Sequence, residues 1–182
     1  DLNIFKDYIS FLEKIGELSE EERKLVGTVA HEFLKAIENT SMTKMYKMPI
    51  LLAFYNNGQM KMQIDEDDIY RSFKEFYSNP ANAVDMVRDK STKDYRSWSN
   101  KEYISLARKN PMKFLIQSSG EYFYEDGDLF CLAPELERFI HNPAFIKHFK
   151  DIIDYRTRRF YKERLEEKIN DIERTTIEDD EK

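Results

Sequence analysis

Residues 43–77, TKMYKMPILLAFYNNGQMKMQIDEDDIYRSFKEFY, decide how this chain folds. Pro49 suits a first helical turn, where its missing N–H costs nothing, and Ile50, Leu51, Leu52, Phe54 and Tyr55 surround that helix with apolar side chains. The pattern predicts a largely buried helix from Met48 or Pro49 to Asn57, with Asn57-Gly58 as its stop. Met60, Met62 and Ile64 then alternate with Lys61 and Gln63, the two-residue period of a half-buried strand. Asp65 is placed to cap a further helix whose core stripe is Ile69, Phe73, Phe76 and Tyr77. No side chain of the block is poised to make or break a bond.

Upstream, Phe5, Tyr8, Ile9, Leu12 and Ile15 form one helical stripe between Leu2 and Ile15, and Gly16 ends it. Ser19 with Glu22 is a capping-box pattern opening a second helix, whose inner face is Leu25, Val26, Val29, Phe33, Leu34 and Ile37. Residues 1–39 thus read as an acidic helical hairpin. Downstream, Asn79-Pro80 breaks the chain, and 88–98 reads as a polar loop. Ser99 with Glu102 opens a helix through Tyr103, Ile104 and Leu106, and Asn110-Pro111 caps another carrying Phe114 and Leu115. Glu121 to Leu132 reads as strand, Asp126-Gly127 turn, strand, and Pro134 starts a short helix. A long helix from about Pro143 to Lys168 buries Phe145, Ile146, Phe149, Ile152, Ile153 and Phe160, and the acidic end, 171–182, is expected to fray. The expected fold class is mainly α with a small β component. A winged-helix-like unit, one short strand plus a β-hairpin, occupies 40–142, and the long helix occupies 143–170.

Composition agrees with a helix-rich domain: 182 residues, 41% apolar, 35% charged, and only five glycines and five prolines to interrupt helices. No apolar run reaches the roughly 18 residues of a membrane span. The N-terminus lacks a basic-then-apolar leader, and the lone Cys131 cannot form an internal disulfide, so a cytoplasmic protein is expected. The start at Asp1 rather than Met suggests a piece of a longer protein.

The net charge of −6 argues against non-specific coating of nucleic acid, but the charge lies in blocks. Residues 88–113 hold eight bases against three acids, and 147–168 hold eight against five. Residues 1–42 hold nine acids against five bases, and 171–182 hold six against two.

Catalytic and metal chemistry is not supported. Asp65-Glu66-Asp67-Asp68 resembles a carboxylate cluster, yet consecutive residues at a helix start point apart, and the helix dipole favours acids there for structural reasons. His141 and His148 are separated by the Asn142-Pro143 break, His31 stands alone, and no zinc-type spacing occurs. Cys131 between Phe130 and Leu132 reads as core, and no phosphate-cradling glycine motif is present. We therefore expect no catalytic, cofactor or metal residue in this segment. Nucleic-acid contact is the positive expectation. Arg88, Lys90, Lys93, Arg96, Lys101, Arg108, Lys109 and Lys113 interleave with Tyr95, Trp98 and Tyr103, cations for phosphates beside rings for bases. Arg156 and Arg159 are the candidates on the last helix, where neighbouring acids are expected to pair with part of the basic set.

The runs MTKMYKMPILLAFYNNG (42–58), FKEFYSN (73–79) and HFKDIIDYRTRRFYKERL (148–165) resemble the C-terminal accessory region of bacterial DEAD/DEAH-type superfamily II helicases of the restriction- and defence-associated kind. The likeness extends from about Ile37 to Leu165 and rests on packing motifs. A related helix followed by a strand heads DNA-binding portions of several restriction endonucleases. The resemblance implies a domain appended to an ATP-dependent translocase, gripping nucleic acid or docking a partner. ATP and Mg²⁺ would belong to the helicase core, because none of that core's motifs lies in these residues. A protein-interaction or oligomerisation module and an independent Mg²⁺-dependent nuclease are the alternatives.

Overall fold

Asp7 begins the first helix by accepting the Ser10 N–H, and α1 (Tyr8–Ile15) stops at Gly16, whose φ of 74° closes the left-handed cap. The computed structural model describes residues 6–180, so the expected helical residues Leu2 to Phe5 lie outside the described part. The Ser19–Glu22 capping box forms, but the single helix expected after it is two, α2 (Glu20–Arg23) and α3 (Val29–Asn39). Gly27, at φ 71°, turns the chain between them. Its N–H donates to His31 Nδ1 at 3.1 Å.

The helix expected to run to Asn57 ends early, at Leu52, as α4 (Lys47–Leu52). Asn57-Gly58 is the two-residue loop of a hairpin joining β1 (Tyr55–Asn56) to β2 (Gln59–Met60). Both loop residues have positive φ, 46° and 80°, the geometry that matches strand twist in a tight hairpin. The alternating strand is split, because Met60 pairs back to Tyr55 while Ile64 in β3 (Gln63–Ile64) pairs with Phe130. Met60 and Ile64 are buried and Lys61 and Gln63 exposed, as their alternation predicts. Asp65 caps α5 (Glu66–Ser78), which buries Ile69, Phe73, Phe76 and Tyr77.

α6 (Val84–Arg88) ends where the expected polar loop of 88–98 begins, and that loop holds a 3-10 turn at Tyr95–Ser97. The expected break at Asn110-Pro111 is also absent. α7 (Asn100–Ala107) passes through a π turn at Arg108–Met112 into α8 (Lys113–Ser119). A widened turn tolerates the proline ring and its missing donor without ending the helix. β4 (Phe123–Asp126) and β5 (Leu129–Leu132) form the expected hairpin, and with β3 they make an antiparallel sheet of order β3-β5-β4. After a 3-10 helix at Pro134–Phe139, α9 (Pro143–Asp180) runs for 38 residues, through the stretch expected to fray as far as Asp180.

The fold is mainly helical with two small antiparallel sheets. Its parts share one core. Phe33 of α3 stacks on Phe149 of α9 at 6.1 Å and meets Phe123 and Phe145 at 5.8 and 5.9 Å. Phe123 stacks in turn on Phe130 at 5.6 Å, and Phe54 closes on both. One apolar cluster therefore joins Ile9 to Ile153.

Candidate nucleic-acid interface

α5 and α7 pack antiparallel through rings: Tyr70 and Phe73 meet Tyr103, and Tyr77 meets Tyr95. At the other end, Arg108 reaches Glu66. The basic stretch is thereby stretched along α5, with Tyr95 near its C-terminal end and Arg108 at its N-terminal end, a span of about 18 Å at 1.5 Å per residue.

At the Tyr95 end, Arg88, Lys90, Lys93 and Arg96 are exposed. Arg96 donates to Tyr95 Oη at 3.3 Å. The α6 segment beneath them is anchored on the body by Asp89, whose carboxylate accepts from Lys44 at 2.5 Å. Lys44 and the Ser91 N–H hold the Asp89 carboxyl well below the usual carboxylate range.

At the other end, Lys101, Arg108 and Lys109 line a shallow cleft of about 510 Å³ with Glu66, Asn100 and Ser105. Arg108 is committed there, with Glu66 at 2.7 Å and Asp128 of the hairpin tip at 3.5 Å. Lys101, Lys109 and Lys113 are exposed, and no ion pair among the described residues includes them. Phe114, beside Lys113, is 45% exposed.

The aromatic residues expected to stack on bases turn inward. Tyr95 and Tyr103 are buried, and Trp98 is half-buried with its ring edge-on to Tyr103 at 5.3 Å. Phe114 is the exposed ring on this helix, and only the π turn reveals it as part of the same continuous rod. Arg156 also leaves the candidate set. Its guanidinium donates to the carbonyl oxygens of Ile37 and Thr40 at 2.9 and 2.5 Å, closing the end of α3, and burial lowers its pKa. Arg159 is exposed but bonded to Glu163 at 2.8 Å.

The acidic run is a cap. Asp65 Oδ1 accepts the Asp68 N–H at 2.9 Å, and Asp68 Oδ2 accepts the Asp65 N–H at 3.1 Å. Lys61 and Arg71 both fill the remaining Asp68 lone pairs at 2.7 Å. His148, in turn, is a tie between helices, 2.5 Å from Glu22 Oε2. Among the described residues no three His, Cys, Asp or Glu side chains are grouped to hold a metal. Burial raises the Cys131 pKa, which keeps its thiol protonated in the core.

Tertiary structure assembles one constellation that reading the chain missed. His31 Nε2 lies 2.8 Å from Asp7 Oδ1, and the Ser10 hydroxyl donates to Asp7 Oδ2 at 2.8 Å. It is not a nucleophilic triad. Nδ1 accepts from Gly27, so Nε2 carries the imidazole proton toward Asp7, and the serine proton is already donated to the same carboxylate. No imidazole lone pair faces Ser10.

No helix among the described residues is long and apolar enough to cross a membrane. Comparison with protein-family models, curated proteins and solved structures yields no match to this chain.

Proposed function

We propose that this chain is a non-catalytic accessory domain of a cytoplasmic bacterial DEAD/DEAH-type helicase, serving restriction or defence, and that it grips DNA through the basic face of α7–α8. The observation that carries this reading is a single one. Lys101, Lys109 and Lys113 stand exposed, outside every ion pair found among the described residues, along one helical rod. The order α4, β3, α5, α7–α8, β4, β5, with sheet order β3-β5-β4, supports reading these elements as winged-helix-like, with this rod in the role of the recognition helix. ATP and Mg²⁺ are assigned to the helicase core.

The hairpin tip bears Glu125, Asp126 and Asp128, all exposed, so contact with phosphate runs through the helix and not through the wing. Fluorescence anisotropy with duplex, forked and single-stranded DNA across a salt series tests the reading. Three phosphate contacts give a log–log salt slope of about −3 for duplex. Absence of binding at low salt with every form overturns it. The acidic tip favours a second reading, a module that docks a basic protein surface. Retention of partner binding after Glu125→Lys and Asp128→Lys would count against that one.

A further inference from the structure

A small cleft of about 210 Å³ lies between the start of α1, the last turn of α3 and the middle of α9, walled by Tyr8, Glu38, His148, Ile152, Tyr155 and Arg156 with Asp151 at its side. Sites for drug-sized ligands run to about 300–1,000 Å³, so this one takes a group of side-chain size. Its lining is mainly apolar. Ile152 is buried, and Tyr8 and Tyr155 are 37% and 40% exposed.

Glu38 is the carboxylate on this wall that lacks a cation. Its Oε2 accepts the Tyr8 N–H at 3.2 Å, and no ion pair among the described residues includes it. The charges around it are committed elsewhere. His148 goes to Glu22 and Asp151 to Lys147. On the α1 side, His31 and Lys35 go to Asp7, at 2.8 and 4.0 Å. Arg156 donates to the carbonyl oxygens of Ile37 and Thr40. Lys6 is exposed and lines an adjoining cleft that Glu38 shares.

A half-buried carboxylate in this position takes its charge reluctantly. Burial, with Asp7 nearby, raises the Glu38 pKa to about 7 against the Tyr8 N–H and His31. A titratable group shifted this way inside a cleft marks a candidate site. Glu38 also stands in the last turn of α3 (Val29–Asn39), where the helix dipole favours a cation. An ammonium on an apolar stem matches these features together. The carboxylate meets its charge, tyrosine rings attract it by their faces, and Ile152 offers carbon to the stem.

We propose that this cleft binds an alkylammonium group, with Glu38 as its counter-ion and the rings of Tyr8 and Tyr155 flanking it. An anion would meet Glu38 itself, with Arg156 already spent on the end of α3. The site is independent of nucleic-acid contact through α7–α8.

NMR titration of the whole chain with n-butylammonium chloride at constant ionic strength tests this, with n-butanol as the uncharged control. At pH 8 the ammonium is expected to shift the Tyr8, Ile152 and Tyr155 side-chain resonances saturably, and at least tenfold more tightly than butanol. No saturable shift, or equal affinity for the two, overturns the proposal. The amine stays protonated across this range, so pH acts through the protein. Binding requires ionised Glu38: affinity is at its plateau above pH 7 and falls as pH drops, by about 100-fold at pH 5. An affinity that is flat or rises toward pH 5 overturns it. Glu38→Gln, with its fold checked by thermal melting, is expected to lose the preference for ammonium over butanol, and a retained preference overturns it. The source of the amine is read from acetyl-Gly-Lys-Gly-amide beside its norleucine analogue. Selective binding of the lysine peptide supports a protein side chain as the ligand, and binding of butylammonium alone supports a free small amine.

Discussion

Arg108 Nη2 donates to Glu66 Oε1 at 2.7 Å, joining positions 42 apart in the chain. This base therefore enters any nucleic-acid contact already neutralised, while Lys109 beside it does not. Lys109→Ala and Lys113→Ala are each expected to weaken duplex binding across sequences and to reduce the salt slope by about one. Arg108→Ala is expected to change the slope by less than either, measured by anisotropy in the same salt series. As an exposed pair its loss costs only about 0–1 kcal/mol of stability.

Arg156 is a structural residue. Truncation to Ala leaves the Ile37 and Thr40 carbonyls at the end of α3 without their cationic donor. Hydrogen bonds to a charged group are worth about 1.5–3 kcal/mol, so a stability loss of that order is expected in urea unfolding. DNA affinity measured well below the melting range is expected to stay at the wild-type value.

Glu38 makes stability depend on pH. Burial, reinforced by the nearby Asp7 carboxylate, pushes its pKa from 4.5 up to about 7, against the opposing effects of the Tyr8 N–H and His31. The folded state thus holds the proton longer than the unfolded state. The stabilisation is complete below pH 4.5 and disappears as pH rises to about 7. Tyr155 and Arg156 line the same cleft. Glu38→Gln is expected to melt above wild type at pH 8 and close to it at pH 5, by calorimetry. A variant less stable than wild type at pH 8 would contradict this.

Gly58 carries the hairpin turn at φ 80°, and a Cβ there meets no atom within 4 Å. The cost of Gly58→Ala is therefore conformational and not steric, about 1–2 kcal/mol for holding an L-residue in the left-handed region. A loss in that range, with an unchanged circular dichroism spectrum, is the expected outcome.

Much of the helical framework was legible because its signals are local. Ser19 with Glu22, Asp65 at the start of α5, and Ser99 with Glu102 each satisfy donors within three residues, and all three caps form. The stripe Ile69, Phe73, Phe76, Tyr77 is buried as its spacing requires. Asn57-Gly58 fits a helix stop, yet the pair is also a strong hairpin signal. What separates the two readings is whether Tyr55 finds Met60 across the turn, a pairing with only two residues on each strand. Asn110-Pro111 reads as the cap of a separate helix, and the π turn that instead absorbs Pro111 within one continuous rod leaves no mark in the spacing.

The candidate interface was less legible than the framework. Composition marks bases and rings, but burial decides their use. Tyr95, Tyr103 and Trp98 went to the α5–α7 seam, and Arg156 went to the end of α3. Caps, periodicity and the Gly127 hairpin were determined by neighbours along the chain, since their energies arise within one or two turns of backbone. Which cations remain for a ligand was decided only in three dimensions. A charge's availability depends on the carboxylate or carbonyl opposite it, and for Arg108 and Arg156 that partner lies 42 and 116–119 residues away.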